Sequence, residues 1–238
     1  MNIKVLDIGL SHYLECYALQ KKILNDIKSN GAPEHIIITE HYPVFTIGRA
    51  GKKDNILVSK EFLKEKGVEV VETDRGGDVT YHCPGQLVVY PIVKVADLHK
   101  YLRCLEEAVI QLLREYDIDG FRVEGKTGVW TSKGKIASIG IGVSRWITYH
   151  GVALNVNCDL TPFSWINPCG FKDTKITSMG KMGAVPKKET NTIFKERVKC
   201  KLIESFCGDG WPAEPKALPR ASEAEHGKVA RQTGPVAE

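Results

Sequence analysis

The chain has 238 residues, 42% of them hydrophobic and 26% charged, with 33 basic against 29 acidic side chains and a net charge of +4, the balance of an ordinary soluble globular protein. The positive excess is spread along the sequence and gathers into no more than lysine pairs such as Lys187-Lys188, too small a patch for a nucleic-acid binder, though a mild excess suits an acidic protein partner. No apolar run reaches the roughly 20 residues of a bilayer span, and Met1-Asn2-Ile3-Lys4-Val5-Leu6-Asp7 turns to charge too early for a signal peptide, so a cytoplasmic protein without membrane contact is expected.

In chain order, Ser11 is placed to cap a helix running to about Ser29, with Tyr13, Leu14, Tyr17, Ala18, Leu24 and Ile27 largely on one face. The runs 35–39, 44–47 and 68–71 read as strands, the last leading into a glycine-rich block. A further β-rich run follows over 87–93. Asp97 caps the clearest helix, in which Leu98, Tyr101, Leu102, Leu105, Ala108, Val109, Leu112, Leu113 and Tyr116 keep a 3–4 spacing. Residues 128–131 form a strand, 132–135 a turn, and 136–143 and 150–157 a hairpin. A last helix spans about Thr192 to Phe206. From Gly208 the sequence is broken by Pro212, Pro215, Pro219 and Pro235 with few large apolar residues, and a disordered tail over 208–238 is expected. The order of elements predicts one α+β domain over 1–207, with a mixed sheet and packed helices.

Seven cysteines, an odd number without a C-x-x-C pair, predict free thiols in a reducing compartment and neither a zinc site nor a disulfide framework. H-E-x-x-H and the P-loop pattern are absent, so no metal is indicated. The most informative stretch runs from Arg75-Gly76-Gly77-Asp78-Val79-Thr80-Tyr81-His82 through Cys83-Pro84-Gly85-Gln86 to Tyr90-Pro91. Paired glycines let backbone approach a ligand, and a cation and an imidazole lie beside them. Cys169, in Asn167-Pro168-Cys169-Gly170, has the rigid turn of an exposed nucleophile, although a free cysteine is commonly just a small apolar filler. Cys83 is its rival, but it points away from neighbouring His82 on an extended chain and reads as turn filler. Lys135 enters an apolar strand after a turn; it is either a solvated strand lysine or a partly buried base. His82 and His150 both adjoin flexible backbone and are either core histidines or site residues. His12, His35, His41, His99 and His226 have no such context.

The block resembles the signature of the octanoyltransferases of lipoate biosynthesis: Arg-Gly-Gly, Thr-aromatic-His, Gly-Gln and Tyr-Pro are all present, Cys83 alone replacing a glycine of the pattern. Gly134-Lys135-Ile136-Ala137-Ser138-Ile139-Gly140 resembles that family's lysine strand. Pro168-Cys169-Gly170, followed by Ile176-Thr177-Ser178-Met179, resembles its nucleophile turn, so the resemblance spans roughly 3 to 207. It implies the fold of biotin and lipoate protein ligases, with a large mixed sheet and a smaller one. It also implies a reaction in which an octanoyl group passes from octanoyl-acyl carrier protein to a specific lysine of a lipoyl domain, as in 2-oxoacid dehydrogenases or the glycine cleavage H protein. Neither a cofactor nor a metal is implied, and a monomer is expected. Carried onto this chain, Cys169 is the nucleophile and Lys135 its partner. The acyl group is bound by Arg75, Gly76, Gly77, Asp78, Val79, Thr80, Tyr81 and His82, by Ser138, Ile139 and Gly140, and by His150, Gly151 and Val152. Oxyanion donors are expected around Gly76-Gly77 or Ser138–Gly140, and an apolar tunnel among Val79, Tyr81, Ile139 and Val152, with plain core as the equal alternative for Tyr81 and Val152. An ATP-dependent ligase, a cysteine hydrolase using Cys169 with His82 or His150, and a non-catalytic binding module are the alternatives.

Overall fold

The computed structural model describes residues 3–167, 174–184 and 191–207. Among the described residues ten strands lie in two sheets. The larger has seven, in the order β1 (Ile3–Ser11), β2 (Glu34–His41), β6 (Gln86–Ile92), β10 (Ile147–Asn155), β9 (Gly134–Ser144), β8 (Lys126–Thr131) and β7 (Phe121–Val123). Only β1 and β2 run parallel; the other neighbours are antiparallel. The smaller sheet holds β3 (Val44–Ile47) between β4 (Glu69–Glu72), parallel to it, and β5 (Val79–His82), antiparallel. The expected fold class, a mixed sheet with a smaller sheet and packed helices, is the one found.

Strand periodicity divides the core. Ile36 and Ile38, Leu87 and Val89, and Val152 and Leu154 face one side, with α3 (Leu98–Arg114) and α4 (Asn191–Cys207). Ile37, Val88 and Tyr90, and Tyr149 and Ala153 face the other, with α1 (Tyr13–Asn30). Because both faces are covered, these strands read as continuous apolar runs without a polar alternation. A third cluster closes the small sheet: Phe45, Val79 and Tyr81 pack on Leu63 of α2 (Lys60–Glu65) and on Phe163 and Ile166 of the segment after β10.

The helix of 98–114 forms as expected, and the Asp97 carboxylate accepts from the N–H groups of His99 and Lys100 at 2.8 and 3.0 Å. The other expected cap does not form. Ser11 ends β1, its hydroxyl 2.8 Å from Thr39 Oγ1, and His12 stands at the start of α1 without a side-chain cap bond. On α1 Leu14 is exposed, while Cys16, Gln20 and Ile23 join Tyr13, Leu24 and Ile27 inside. Strands β1, β5 and β7 and helix α2 add to the expected elements. On α3, buried Glu106 accepts from Arg103, Arg122 and the Gly128 N–H, tying the helix to β7 and β8. Among the described residues no helix is long and apolar enough to cross a membrane. The expected tail, 208–238, lies outside the described residues.

Candidate active site

The glycine-rich block forms the seam between the sheets. Arg75 is buried at 7% exposure, and its guanidinium is engaged by the protein. Nε and Nη2 donate to Thr46 Oγ1 at 3.0 and 2.9 Å, Nη2 also to the carbonyls of Thr46 and Asp78 at 2.6 Å each, and Nη1 to Gly76 O at 2.9 Å. A planar fork suits such simultaneous acceptance. The Asp78 carboxylate takes the Val79 N–H at 2.7 Å and Asn55 Nδ2 at 2.6 Å, so it orders the loop. Gly77 has φ of 86°, left-handed backbone that favours glycine.

The block lies directly on β9. The Gly76 N–H donates to Ile141 O at 2.8 Å, which removes it from the expected oxyanion donors. A Cβ on Gly140 would stand 2.7 Å from Gly76 O, so the approach needs glycine there.

Strand β5 then alternates. Tyr81 turns into the small-sheet core, with ring centroids 5.3 Å from Phe45 and 5.5 Å from Phe163, so of its two expected readings, tunnel wall and plain core, it takes the second. His82 faces the opposite way, and its polar contacts run in one direction. Arg75 donates to Thr46 Oγ1, and the Thr46 hydroxyl lies 3.4 Å from His82 Nε2. His82 Nδ1 is 2.7 Å from Gln86 Oε1, and Gln86 Nε2 donates to Asn155 Oδ1 at 2.9 Å. Asn155 Nδ2 donates to Thr177 O and the Thr177 N–H to Lys135 O, both at 2.9 Å. Gln86 Nε2 also donates to Tyr81 O, so Oε1 is the acceptor and His82 carries its proton on Nδ1. Burial holds the His82 pKa well below the usual range. The histidine is a neutral link joining the block to the lysine strand.

His150 stands at the other end of the cleft with φ of 56°, uncommon for a residue with a Cβ. Its Nε2 is 2.9 Å from Asp74 Oδ1, its N–H donates to Gln20 Oε1 at 2.8 Å, and its ring stacks on Tyr17 at 5.2 Å. Burial lowers its pKa to about 4 despite Asp74. Asp74 Oδ2 accepts from Lys21 Nζ and from Tyr149 OH, both at 2.7 Å. Burial opposes ionisation of Asp74, but the hydrogen bonds from Lys21, His150, Tyr149 and Tyr17 outweigh it and hold the carboxyl below the ordinary carboxylate range.

His41, which local sequence did not mark, is the third buried imidazole. Its Nε2 is 2.8 Å from Tyr90 OH and its ring 5.7 Å from His82, and burial lowers its pKa to about 4. Its partners are 30 and 49 residues away in sequence, so only the adjoining apolar strand could have hinted at it.

Between these groups lies a cleft with a cavity volume of about 40 Å³. It is a narrow slot. The block lines one wall through Arg75, Gly77, Asp78, Val79, Thr80 and His82, and Ser138–Gly140 with His150–Val152 line another. Neither Gly76 nor Tyr81 is among the lining residues. Opposed pairs across the β9–β10 ladder, Ser138 with Ala153 and Gly140 with Gly151, leave the floor almost bare of side chains. Lys135 reaches the same cleft, 3% exposed, with Nζ 5.5 Å from the centre of the Trp130 ring. Space for it exists because a Cβ on Gly128 would meet Lys135 Cε at 2.6 Å.

Pro168, Cys169 and Gly170 lie outside the described residues, but the chain on both sides of them is tied down. Before them the Asn167 N–H donates to Asn55 O at 2.8 Å; after them the Lys135 N–H donates to Lys175 O at 2.8 Å. The rival cysteine, Cys83, is buried in the small-sheet core and off the cleft. Among the described residues no group of three or more His, Cys, Asp or Glu side chains could hold a metal.

The model of the lipoyl protein ligase A/B catalytic domain matches residues 12–206. The Octanoyltransferase of Syntrophotalea carbinolica is 43% identical over 208 residues, covering 86% of this chain and 92% of that protein. The Octanoyltransferase of Caldanaerobacter subterraneus is 47% identical, covering 85% and 88%. The chain belongs to the octanoyltransferase family. Solved structures share this member's fold at low identity. A lipoate-protein ligase A bound with ATP gives a TM-score of 0.65 at 19% identity, covering 87% of this chain and 84% of that one. A bi-partite lipoate protein ligase from Thermoplasma acidophilum gives 0.62 at 18%, covering 87% and 82%. In this octanoyltransferase family member the matched region takes in the block, the lysine strand and Cys169 alike.

Proposed function

We propose that this chain transfers an octanoyl group from octanoyl-acyl carrier protein to the ε-amine of a lysine on a lipoyl domain, through a thioester on Cys169. The observation that carries the reading is the convergence of the block, the Ser138–Gly140 strand and buried Lys135 on one narrow cleft, with the chain flanking Cys169 fastened to Lys135 itself.

The chemistry suits these residues. A thiolate exchanges with a thioester at little thermodynamic cost, leaving octanoyl-Cys169 and a free carrier thiol. A free cysteine near pKa 8.5 is only a few per cent thiolate at pH 7, and an ammonium beside it raises that fraction. Lys135 supplies that ammonium, gives its proton to the departing carrier thiolate, and in the neutral form this leaves takes the proton of the incoming lysine amine. The buried His82 relay holds one wall of the cleft and leaves proton transfer to Lys135. The slot over Ser138, Gly140, Gly151 and Ala153 takes the acyl chain, and the enzyme works without metal or cofactor as a cytoplasmic monomer, with residues 1–207 as its catalytic unit.

The test is an intact-mass spectrum after mixing the protein with octanoyl-acyl carrier protein. One octanoyl adduct on the wild type, absent from Cys169→Ser, is the expected result. A thioester-labile adduct persisting in Cys169→Ser moves the nucleophile to another cysteine. Octanoyl transfer that requires ATP and free octanoate replaces the reading with a ligase.

A further inference from the structure

Away from the cleft, the fold brings two thiols together that the transfer reaction does not use. Cys83 follows β5 and Cys158 follows β10, 75 positions apart in sequence, where both pack into the cluster that closes the small sheet. The turns that carry them are locked face to face. Gly85 O accepts the N–H groups of Val156 and Asn157 at 3.2 and 3.0 Å, and a Cβ on Gly85 would stand 3.0 Å from Cys158 Cα. Cys83 Sγ lies 3.8 Å from the carbonyl of Asp159, the residue after Cys158. Cys158 Sγ is in turn 3.7 Å from Asn155 Oδ1. Both thiols are free, Cys83 buried and Cys158 half-exposed.

We propose that Cys83 and Cys158 are a reactive dithiol, a modification site that a hydroperoxide converts to an intramolecular disulfide. The division of labour follows from burial. Cys158 meets solvent and is the thiol that a peroxide reaches, while Cys83, enclosed in the same cluster, resolves the product. In the first step the Cys158 thiolate attacks one peroxide oxygen, the O–O bond breaks, and the departing alkoxide or hydroxide takes a proton. Cys158 is then a sulfenic acid. In the second step Cys83 sulfur attacks the Cys158 sulfur, the S–O bond breaks, and the hydroxide leaves as water with the Cys83 proton. Two thiols and one hydroperoxide thus become one disulfide, one alcohol or water, and one water. The pair is independent of which acyl group the cleft transfers.

The test uses the full chain, freed of reductant and exposed to hydrogen peroxide, then alkylated and digested without reduction. Exposed Cys200 serves as the internal control for oxidant access. The expected product is a peptide pair joined through Cys83 and Cys158, with an intact mass lower by about two hydrogens and restored by a thiol reductant. In Cys83→Ser the bridge is lost and a sulfenic acid on Cys158 becomes trappable by dimedone. Free, alkylatable Cys83 and Cys158 in wild-type protein whose Cys200 is oxidised would overturn the proposal, as would a bridge from either one to a different cysteine.

Discussion

Asp74 Oδ1 lies 2.9 Å from His150 Nε2, and Asp74 Oδ2 lies 2.7 Å from Lys21 Nζ: one carboxylate ties α1 to the loop entering the glycine-rich block and to β10. The ion pair alone, with Asp74 38% exposed, is worth little. Its geometric effect is larger, because His150 has left-handed backbone at the cleft edge and needs surroundings that over-determine it.

Asp74→Asn is therefore expected to lower stability by about 1–2 kcal/mol, the low end for hydrogen bonds to a charged group given that exposure. It should raise the KM for octanoyl-acyl carrier protein more than it lowers kcat, because it loosens the cleft wall and leaves the reacting groups in place. Denaturant melts and steady-state kinetics check this. An equal fall in both parameters with no loss of stability would assign Asp74 to the chemistry instead.

Stability should fall as the solution is acidified below about pH 6.5. His41 and His150 have folded pKa values lowered to about 4 by burial, against about 6.5 for an unfolded histidine. Between those values the unfolded chain binds more protons, so stability rises with pH through the window. The contribution is fully present above pH 6.5 and is lost as pH drops towards 4, at most about 3 kcal/mol for each imidazole. His82, shifted in the same direction, extends the loss to lower pH. Denaturation midpoints from pH 7.5 to 4.5 measure it, and a flat profile would show that the imidazoles are solvated.

Lys135→Ala should leave a folded protein whose octanoyl transfer is about 100- to 10,000-fold slower, the usual range for loss of a positioned acid–base group. Alkylation of Cys169 should then shift its midpoint to higher pH, as a thiolate loses its cation. An unchanged midpoint with slow turnover would confine Lys135 to the second half-reaction, deprotonation of the acceptor amine.

Helix α3 and the β9–β10 hairpin were legible because their patterns are local: apolar residues at 3–4 spacing in one, apolar and small residues with a turn at each end in the other. Strand β1 escaped because it is a sheet edge, where Val5 and Leu10 remain exposed beside Lys4 and Asp7. Helix α2, six residues long, is too short to display a period. Ser11 had the chemistry of a cap, but the sequence does not show that Thr39, 28 positions on, competes for its hydroxyl. The same limit applies at the site. The motif identified the residues around the cleft, whereas the direction of each side chain depends on long-range pairings such as Asp74 with His150. Arg75 lines the cleft with its guanidinium engaged by Thr46, Gly76 and Asp78, and Tyr81 turns into the small-sheet core.

Arg75 provides the last test, since a conservative change separates charge from geometry. Lysine keeps the positive charge and loses the fork that spans Thr46, Gly76 and Asp78. Arg75→Lys should cost about 2–4 kcal/mol, because buried carbonyls lose their donors. It should also release the block from β3, so that the Gly76 contact on β9 loosens and the amide of Gly76 exchanges with solvent faster. Hydrogen exchange at Gly76 and Ile47, with a denaturant melt, measures both effects. Unchanged protection together with a large loss of octanoyl transfer would mean that the charge of Arg75 acts on the substrate, and its contacts to the protein would then be secondary.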